Sequence, residues 1–82
     1  MNIAYARGVE KDLAKLGYEV HRRILEKIEA YAANPRAFAS QVKRLKGSPL
    51  LRLRVGDYRV LFTEDGLVLT IFKVGHRREI YE

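Results

Sequence analysis

The sequence contains no cysteine, which excludes both a disulfide framework and a zinc site built on thiolates. No stretch approaches the ~20 consecutive apolar residues that a membrane span requires, and residues 1–7 lack the apolar segment of a signal peptide. Histidine is scarce: His21 and His76 are far apart, and no His, Asp or Glu residues have metal-ligand spacing. We therefore expect a cytoplasmic protein that requires neither a metal nor another cofactor.

Acidic residues are outnumbered, since 16 lysines and arginines against 10 acids give the 82-residue chain a net charge of +6. The excess is local, because residues 43–59 contain a single acid, Asp57. The same stretch contains six basic residues, namely Lys43, Arg44, Lys46, Arg52, Arg54 and Arg59. Such a field attracts polyanions by steering and counterion release. Nucleic acid is the first candidate partner and an acidic protein the second.

The chain length suits one compact domain, residues 1–82. A short strand is expected over Asn2–Ala6. Apolar residues at helical spacing predict helices over Gly8–Leu16 and Tyr18–Ala33, which Gly17 joins into a hairpin. Asn34 precedes a proline and ends the second helix. Residues 36–49 predict a turn of helix, followed by a loop or a short edge strand.

From residue 50 the apolar pattern changes to a period of two, which is typical of strands. Strands are predicted over Leu51–Val55, Tyr58–Thr63 and Leu67–Val74, with a two-residue turn at Gly56–Asp57. The predicted fold class is α+β. A two-helix antiparallel hairpin packs on one face of a small, mainly antiparallel sheet that includes the N-terminal strand.

The predicted hairpin turn places Arg54 opposite Arg59, with Arg52 on the same face. Like charges directly opposed in a sheet are unfavourable by up to about 1 kcal/mol, so the fold alone gives no reason for the pair. An anion bound between the guanidinium groups would give such a reason, because the planar fork of arginine matches phosphate oxygens. The simpler alternative is that arginines on an outer face provide solvation and edge protection.

The closing segment, Val74–Tyr81, gathers side chains suited to RNA cleavage. His76 is a candidate general acid or base, and Arg77 or Arg78 a candidate phosphate clamp. Tyr81 can orient or deprotonate a nucleophile. Each also has a structural interpretation: a cap or surface residue for His76, ion pairing for the arginines and packing for Tyr81.

The face on which this segment lies depends on strand register. A two-residue turn at Asp65–Gly66 puts Phe72, Val74 and His76 on the face of Arg59. A three-residue turn or a bulge at Gly75 would bring Arg77 round instead, because a slip of one residue exchanges the two faces. The sequence leaves both registers open.

Two segments, Leu51–Val60 and Val74–Tyr81, follow a helical hairpin and a Leu45-Lys46-Gly47 step. In this order they resemble the RelE/ParE superfamily of toxin–antitoxin toxins, in particular its RelE branch. The resemblance implies a ribosome-dependent endoribonuclease that cuts mRNA in the A site by 2′-OH attack and so inhibits translation. It also implies a RelB-like antitoxin as partner in a hetero-oligomer, besides the ribosome and mRNA.

The resemblance assigns roles residue by residue. Arg59 would stabilise the transition-state charge, Arg77 would bind phosphate or donate a proton, and Tyr81 would act as general base. His76 is the alternative base, since arginine is a poor proton shuttle with a pKa above ~12. The predicted RNA and ribosome contacts are Lys43, Arg44, Lys46, Arg52, Arg54 and Arg78.

Two other functions fit the same fold. The ParE branch inhibits DNA gyrase and cleaves no RNA, although the tail His76–Tyr81 favours the RelE branch. A non-toxic basic binding module is the third possibility, since fold does not determine function.

Overall fold

The computed structural model describes residues 1–80 as a five-stranded sheet with two α-helices. The elements are β1 (Asn2–Tyr5), α1 (Val9–Ala14), α2 (Tyr18–Ala33), a 3-10 segment (Pro35–Gln41), β2 (Val42–Arg44), β3 (Leu51–Val55), β4 (Tyr58–Glu64) and β5 (Val68–His76). The strand order is β1-β5-β4-β3-β2, in which β1 runs parallel to β5 and the other described pairs are antiparallel. The predicted α+β fold is confirmed.

A glycine separates the two helices. Gly17 has a φ of 80° and a ψ of 158°, a conformation that continues no helix and that glycine adopts most readily. Just before it, the N–H of Leu16 donates to the carbonyl of Leu13 at 3.1 Å, which tightens the last turn. The first helix therefore ends at Ala14 rather than at the predicted Leu16, whereas α2 has its predicted bounds.

One face of the sheet packs against the helices. The buried residues of α2 recur at i, i+4, i+7 and i+8, as one helical face requires. Each strand contributes alternate residues, because successive side chains point to opposite faces. The resulting core contains Val9, Leu13, Ile24, Ile28, Tyr31, Ala32, Leu53, Val55, Val60, Phe62, Leu69, Ile71 and Val74. The other face, here termed the open face, carries Arg52, Arg54, Arg59 and Leu61.

The segment between α2 and β3 forms the far edge of the sheet. A 3-10 segment begins at Pro35, and Val42–Arg44 then pairs antiparallel with β3. The predicted helical turn followed by a short edge strand is confirmed. Within residues 1–80, no helix is long and apolar enough to cross a membrane.

A β-bulge sets the register of the last strand. Leu61 pairs with Lys73, but the next residue, Phe62, pairs with Ile71, so Phe72 is the extra residue of β5. A bulge exchanges the faces of the residues beyond it.

The bulge overturns one of the two registers considered from the sequence. Gly75, not His76, lies opposite Arg59, and His76 pairs with Tyr58. The prediction that Phe72, Val74 and His76 share the face of Arg59 is therefore wrong for Val74 and His76: Val74 pairs with Val60 and is buried in the core. The alternative placed a bulge at Gly75; the bulge exists, but it lies at Phe72.

A partly buried hydrogen bond joins α2 to the end of β4. The hydroxyl of Tyr31 donates to the carboxylate of Glu64, with oxygen–oxygen distances of 2.9 and 3.0 Å. The same ring packs edge-on against Phe62, with centroids 5.1 Å apart. Burial and the Glu64 carboxylate both raise the pKa of Tyr31. The phenol is therefore held in its neutral, donating form.

Replacing Tyr31 by phenylalanine should cost about 1 kcal/mol of unfolding free energy, because the Glu64 carboxylate loses a partly buried hydrogen bond. A raised pKa contributes stability that is complete below the ordinary tyrosine value of 10.0 and is lost as pH rises above it. Urea titrations at pH 7 and above pH 10 measure both effects, and the variant should lose less stability than the wild type over that interval. Equal losses for the two proteins would contradict the assigned role of the hydroxyl.

Candidate functional site

The β3–β4 hairpin has the predicted register. Arg54 pairs with Arg59 and Val55 with Tyr58 across a turn in which Gly56 has a φ of 59°. Nη1 of Arg59 donates to the carbonyls of Gly56 at 3.2 Å and Tyr58 at 3.1 Å. The guanidinium is thereby held beside the turn on the open face.

Several positive charges surround Arg59. Its pKa is lowered, chiefly by burial and further by the charges of Arg52, Arg54 and Arg77, while Asp57 acts in the opposite direction. A lowered arginine pKa means that folding disfavours the charged form. We term these four arginines the arginine cluster. Their mutual repulsion is a cost that a bound anion would relieve.

Arg77 is held against the same turn from the last strand. Its backbone N–H donates to the carbonyl of Asp57 at 2.8 Å, which extends the pairing beyond β5. Its side-chain Nε lies 3.9 Å from Oδ1 of Asp57. The structure therefore brings Arg77 together with the hairpin arginines, as the predicted site requires.

The chain turns back over the open face after Arg77. The N–H groups of Glu79 and Ile80 both donate to the carbonyl of His76, at 2.8 and 3.2 Å. Ile80 is buried beside Leu61 and Leu45. A Cβ atom added to Gly75 would lie 3.3 Å from Cγ1 of Ile80, so the isoleucine fills the space above this glycine.

His76 lies at the sheet rim, away from the face of Arg59. Its ring packs edge-on against Tyr58, with centroids 5.4 Å apart and an interplanar angle of 82°. Its Nδ1 accepts a hydrogen bond from the backbone N–H of Arg78 at 3.1 Å. A catalytic role for His76 stays a prediction, and so does one for Tyr81, which lies outside the described residues.

The remaining predicted RNA contacts divide between the two faces. Lys43 pairs with Arg52 at the edge of the sheet, so both belong to the open face. A cleft of about 410 Å³ opens beside them, lined by Ser40, Gln41, Val42, Lys43, Arg52 and Arg54. Arg44 pairs with Leu51 and so lies on the helix-covered face. Lys46, in the β2–β3 loop, and Arg78, in the C-terminal turn, are exposed.

The sequence model of a protein family, the ParE toxin of type II toxin–antitoxin system, parDE, matches residues 3–81 of the chain. The chain belongs to the ParE toxin family. Membership of the wider RelE/ParE superfamily, expected from the two motifs, is thereby confirmed. Among curated proteins, none matches the chain in sequence.

Solved structures support the same assignment of this ParE-family chain. The archaeal RelE–RelB complex from Pyrococcus horikoshii OT3 matches with a TM-score of 0.77 and 28% identity, over 96% of this chain and 97% of that one. The RelB–RelE complex from Methanococcus jannaschii matches with a TM-score of 0.72 and 28% identity, over 95% and 94%. YafQ from Escherichia coli BL21(DE3) shares the fold at 16% identity, with a TM-score of 0.76 over 99% and 98%.

Two features of this family member were missed from the sequence. Lys73 pairs with Leu61 and adds an exposed cation to the open face. Ile80 packs over Gly75. A glycine inside a predicted strand is a sign of close approach by another chain segment, and Gly75 carried that sign. In the described part of the toxin, no group of three His, Asp or Glu side chains could hold a metal ion.

Proposed function

We propose that this ParE-family toxin is a ribosome-dependent endoribonuclease, acting as a single domain over residues 1–82, that cuts mRNA in the A site and inhibits translation. One observation carries the proposal: Arg59 lies among Arg52, Arg54 and Arg77 with its pKa lowered. A cluster of guanidinium groups whose charge opposes folding is suited to bind the phosphodiester of a substrate.

The cluster would act on the scissile phosphate. Attack by a ribose 2′-OH concentrates negative charge on the phosphorane oxygens, which preorganised cations stabilise most strongly. Arg59 is the candidate residue to stabilise that negative charge, because its guanidinium is fixed by hydrogen bonds to two backbone carbonyls. Arg77, which follows β5 and has its Nε 3.9 Å from Oδ1 of Asp57, would bind a non-bridging oxygen.

The candidate residues for proton transfer are His76 and Tyr81, near the end of the sequence. In neutral imidazole one nitrogen accepts and the other donates. Nδ1 of His76 accepts a backbone N–H and its ring packs against Tyr58 on the face away from Arg59, which makes this histidine the weaker candidate for proton transfer at the arginine cluster. Tyr81 is then the candidate general base, and Tyr81→Phe tests that role through the rate of mRNA cleavage.

The partners follow from charge and from the structural matches. The two archaeal matches are complexes of RelE with RelB. We propose that a RelB-like antitoxin forms a hetero-oligomer with this toxin in the cytoplasm and neutralises it. The net charge of +6 favours an acidic segment in that partner and, on the ribosome, contact with RNA.

Inhibition of DNA gyrase is the second candidate function, because the matching family model is that of ParE. The purified protein should be added in parallel to a translating extract and to a gyrase supercoiling assay. Site-specific mRNA cuts with normal supercoiling are expected. Loss of supercoiling with intact mRNA would overturn the proposal in favour of gyrase.

A further inference from the structure

The tip of the β3–β4 hairpin has guanidinium groups on two sides. On the open face, Nη1 of Arg59 donates to the carbonyl of Gly56 at 3.2 Å. On the helix side, Nη1 of Arg23 lies 4.0 Å from the position that a Cβ atom on Gly56 would occupy. Arg23 belongs to α2, so the positive charge continues round the turn from one face of the sheet towards the other.

The neighbouring arginine of the same helix behaves differently. Arg22 forms ion pairs with Glu26 at 2.8 Å and Glu19 at 3.4 Å, which neutralise its charge locally. Arg23 has neither a hydrogen bond nor an ion pair within residues 1–80, and its side chain is exposed. Asp57, the acid of the turn, lies near Arg77 instead. The charge of Arg23 is therefore available to a ligand.

We propose that Arg23 is a further phosphate-binding residue, and that a single-stranded RNA bound to the arginine cluster passes round the Gly56–Asp57 turn to reach it. The inference rests on the proposed function for the identity of the ligand. Gly56 has no side chain, and the exposed carboxylate of Asp57 lies 3.9 Å from Nε of Arg77, so a ribose-phosphate strand can approach the tip closely at Gly56. Each phosphate neutralised by a cation releases counterions and adds to the salt dependence of binding.

Binding of a short fluorescein-labelled RNA tests this inference. Its riboses carry 2′-O-methyl groups, so that cleavage cannot interfere. Fluorescence anisotropy is measured over a series of salt concentrations for the wild type, Arg23→Ala and Arg22→Ala. Losing one phosphate contact should reduce the slope of log K against log salt by about 0.7 and weaken binding roughly five- to tenfold at low salt.

The Arg22→Ala variant is the matched control, since it removes the same charge one residue away on the same helix. It should retain the wild-type salt slope. Arg23→Gln keeps most of the side-chain stem and should behave like Arg23→Ala, while the thermal midpoints of all three variants stay close to that of the wild type. Equal binding by the Arg23 and Arg22 variants would overturn the inference.

Two further outcomes separate this inference from the proposed function. If Arg23→Ala weakens RNA binding selectively but the wild type cuts no mRNA in the extract, Arg23 remains a phosphate ligand and the nuclease proposal fails. If the wild type cuts mRNA and Arg23→Ala binds RNA normally, the inference fails alone. Polyglutamate serves as a probe for an acidic protein partner. If Arg23→Ala binds polyglutamate more weakly but binds RNA normally, the inference is overturned and Arg23 is a contact for an acidic protein.

Discussion

Replacing Arg59 by alanine is expected to lower the rate of mRNA cleavage in a translating extract by about 100- to 1000-fold, the usual effect of removing one preorganised charge donor from a transition state. Arg59 lies at the centre of the arginine cluster and is fixed by the carbonyls of Gly56 and Tyr58. The measurement is the initial rate of cut-product formation, together with relief of growth arrest in cells that express the variant.

The thermal stability of Arg59→Ala should not fall along with its cleavage activity. Since folding lowers the pKa of Arg59, its charged form opposes folding at every pH below that lowered value, neutral pH included. Arg59→Ala removes this cost, so the thermal midpoint in low salt should be no lower than that of the wild type. Added salt screens the repulsion and should therefore stabilise the wild type more than the variant.

Arg7→Ala provides the control for net charge. Arg7 follows β1, an edge strand that β5 separates from β4, so the same loss of one positive charge should leave cleavage near the wild-type rate. A thermal midpoint of Arg59→Ala that falls in step with its activity would contradict the assignment, because the arginine would then serve the fold. Equal cleavage by the two variants would contradict it as well.

The hairpin half of the site could be predicted because its information is local. Alternating apolar residues fix the faces of β3 and β4, and a glycine in the turn fixes their register. The pairing of Arg54 with Arg59 follows from these two facts and is confirmed. The helix bounds were predictable for a similar reason, since Gly17 and Pro35 are strong local signals.

The tail half could not be predicted because its position depends on a bulge. Phe72 lies in a run of apolar residues, and nothing in that run indicates which residue the ladder leaves unpaired. One extra residue exchanges the faces of everything after it. His76 therefore lies beside Tyr58 and Arg77 joins the hairpin arginines, an outcome that only the assembled sheet determines.

The proposed site thus joins chain segments that are distant in sequence, and Asp57 lies at their junction. Its carbonyl accepts the N–H of Arg77, and its carboxylate lies near the guanidinium of the same residue. The Asp57 carboxylate attracts the guanidinium of Arg77 and so keeps it near the turn before RNA binds. It competes only weakly with the phosphate of the substrate. The geometry of the tail then depends on what holds it after Arg77, namely the contact of Ile80 with the open face.

Replacing Gly75 by valine should therefore disturb catalysis from a distance. A Cβ atom at this position would already lie 3.3 Å from Cγ1 and 3.4 Å from Cδ1 of Ile80, so the branched side chain must displace the isoleucine. Overpacking of this kind costs about 1–3 kcal/mol. The turn that carries Arg77 would shift with Ile80, and a misplacement of about 1 Å can reduce a rate roughly 100-fold. Cleavage rate and urea unfolding measure the two effects.

Thr70→Val is the matched control, since it places the same side chain on the open face of the same strand, opposite Thr63. It should change the unfolding free energy by no more than about 0.5 kcal/mol and leave cleavage unaffected.

A double-mutant cycle decides whether Ile80 is the cause. Ile80→Ala alone should cost about 2 kcal/mol through the cavity it leaves. If the valine acts by displacing Ile80, the alanine makes room for it, and Gly75→Val/Ile80→Ala should be less destabilised than the sum of the single variants. Strict additivity would show that the two residues do not interact. Normal cleavage by Gly75→Val would show that Arg77 does not depend on the tail for its position, and its pairing with Asp57 would then suffice to hold it.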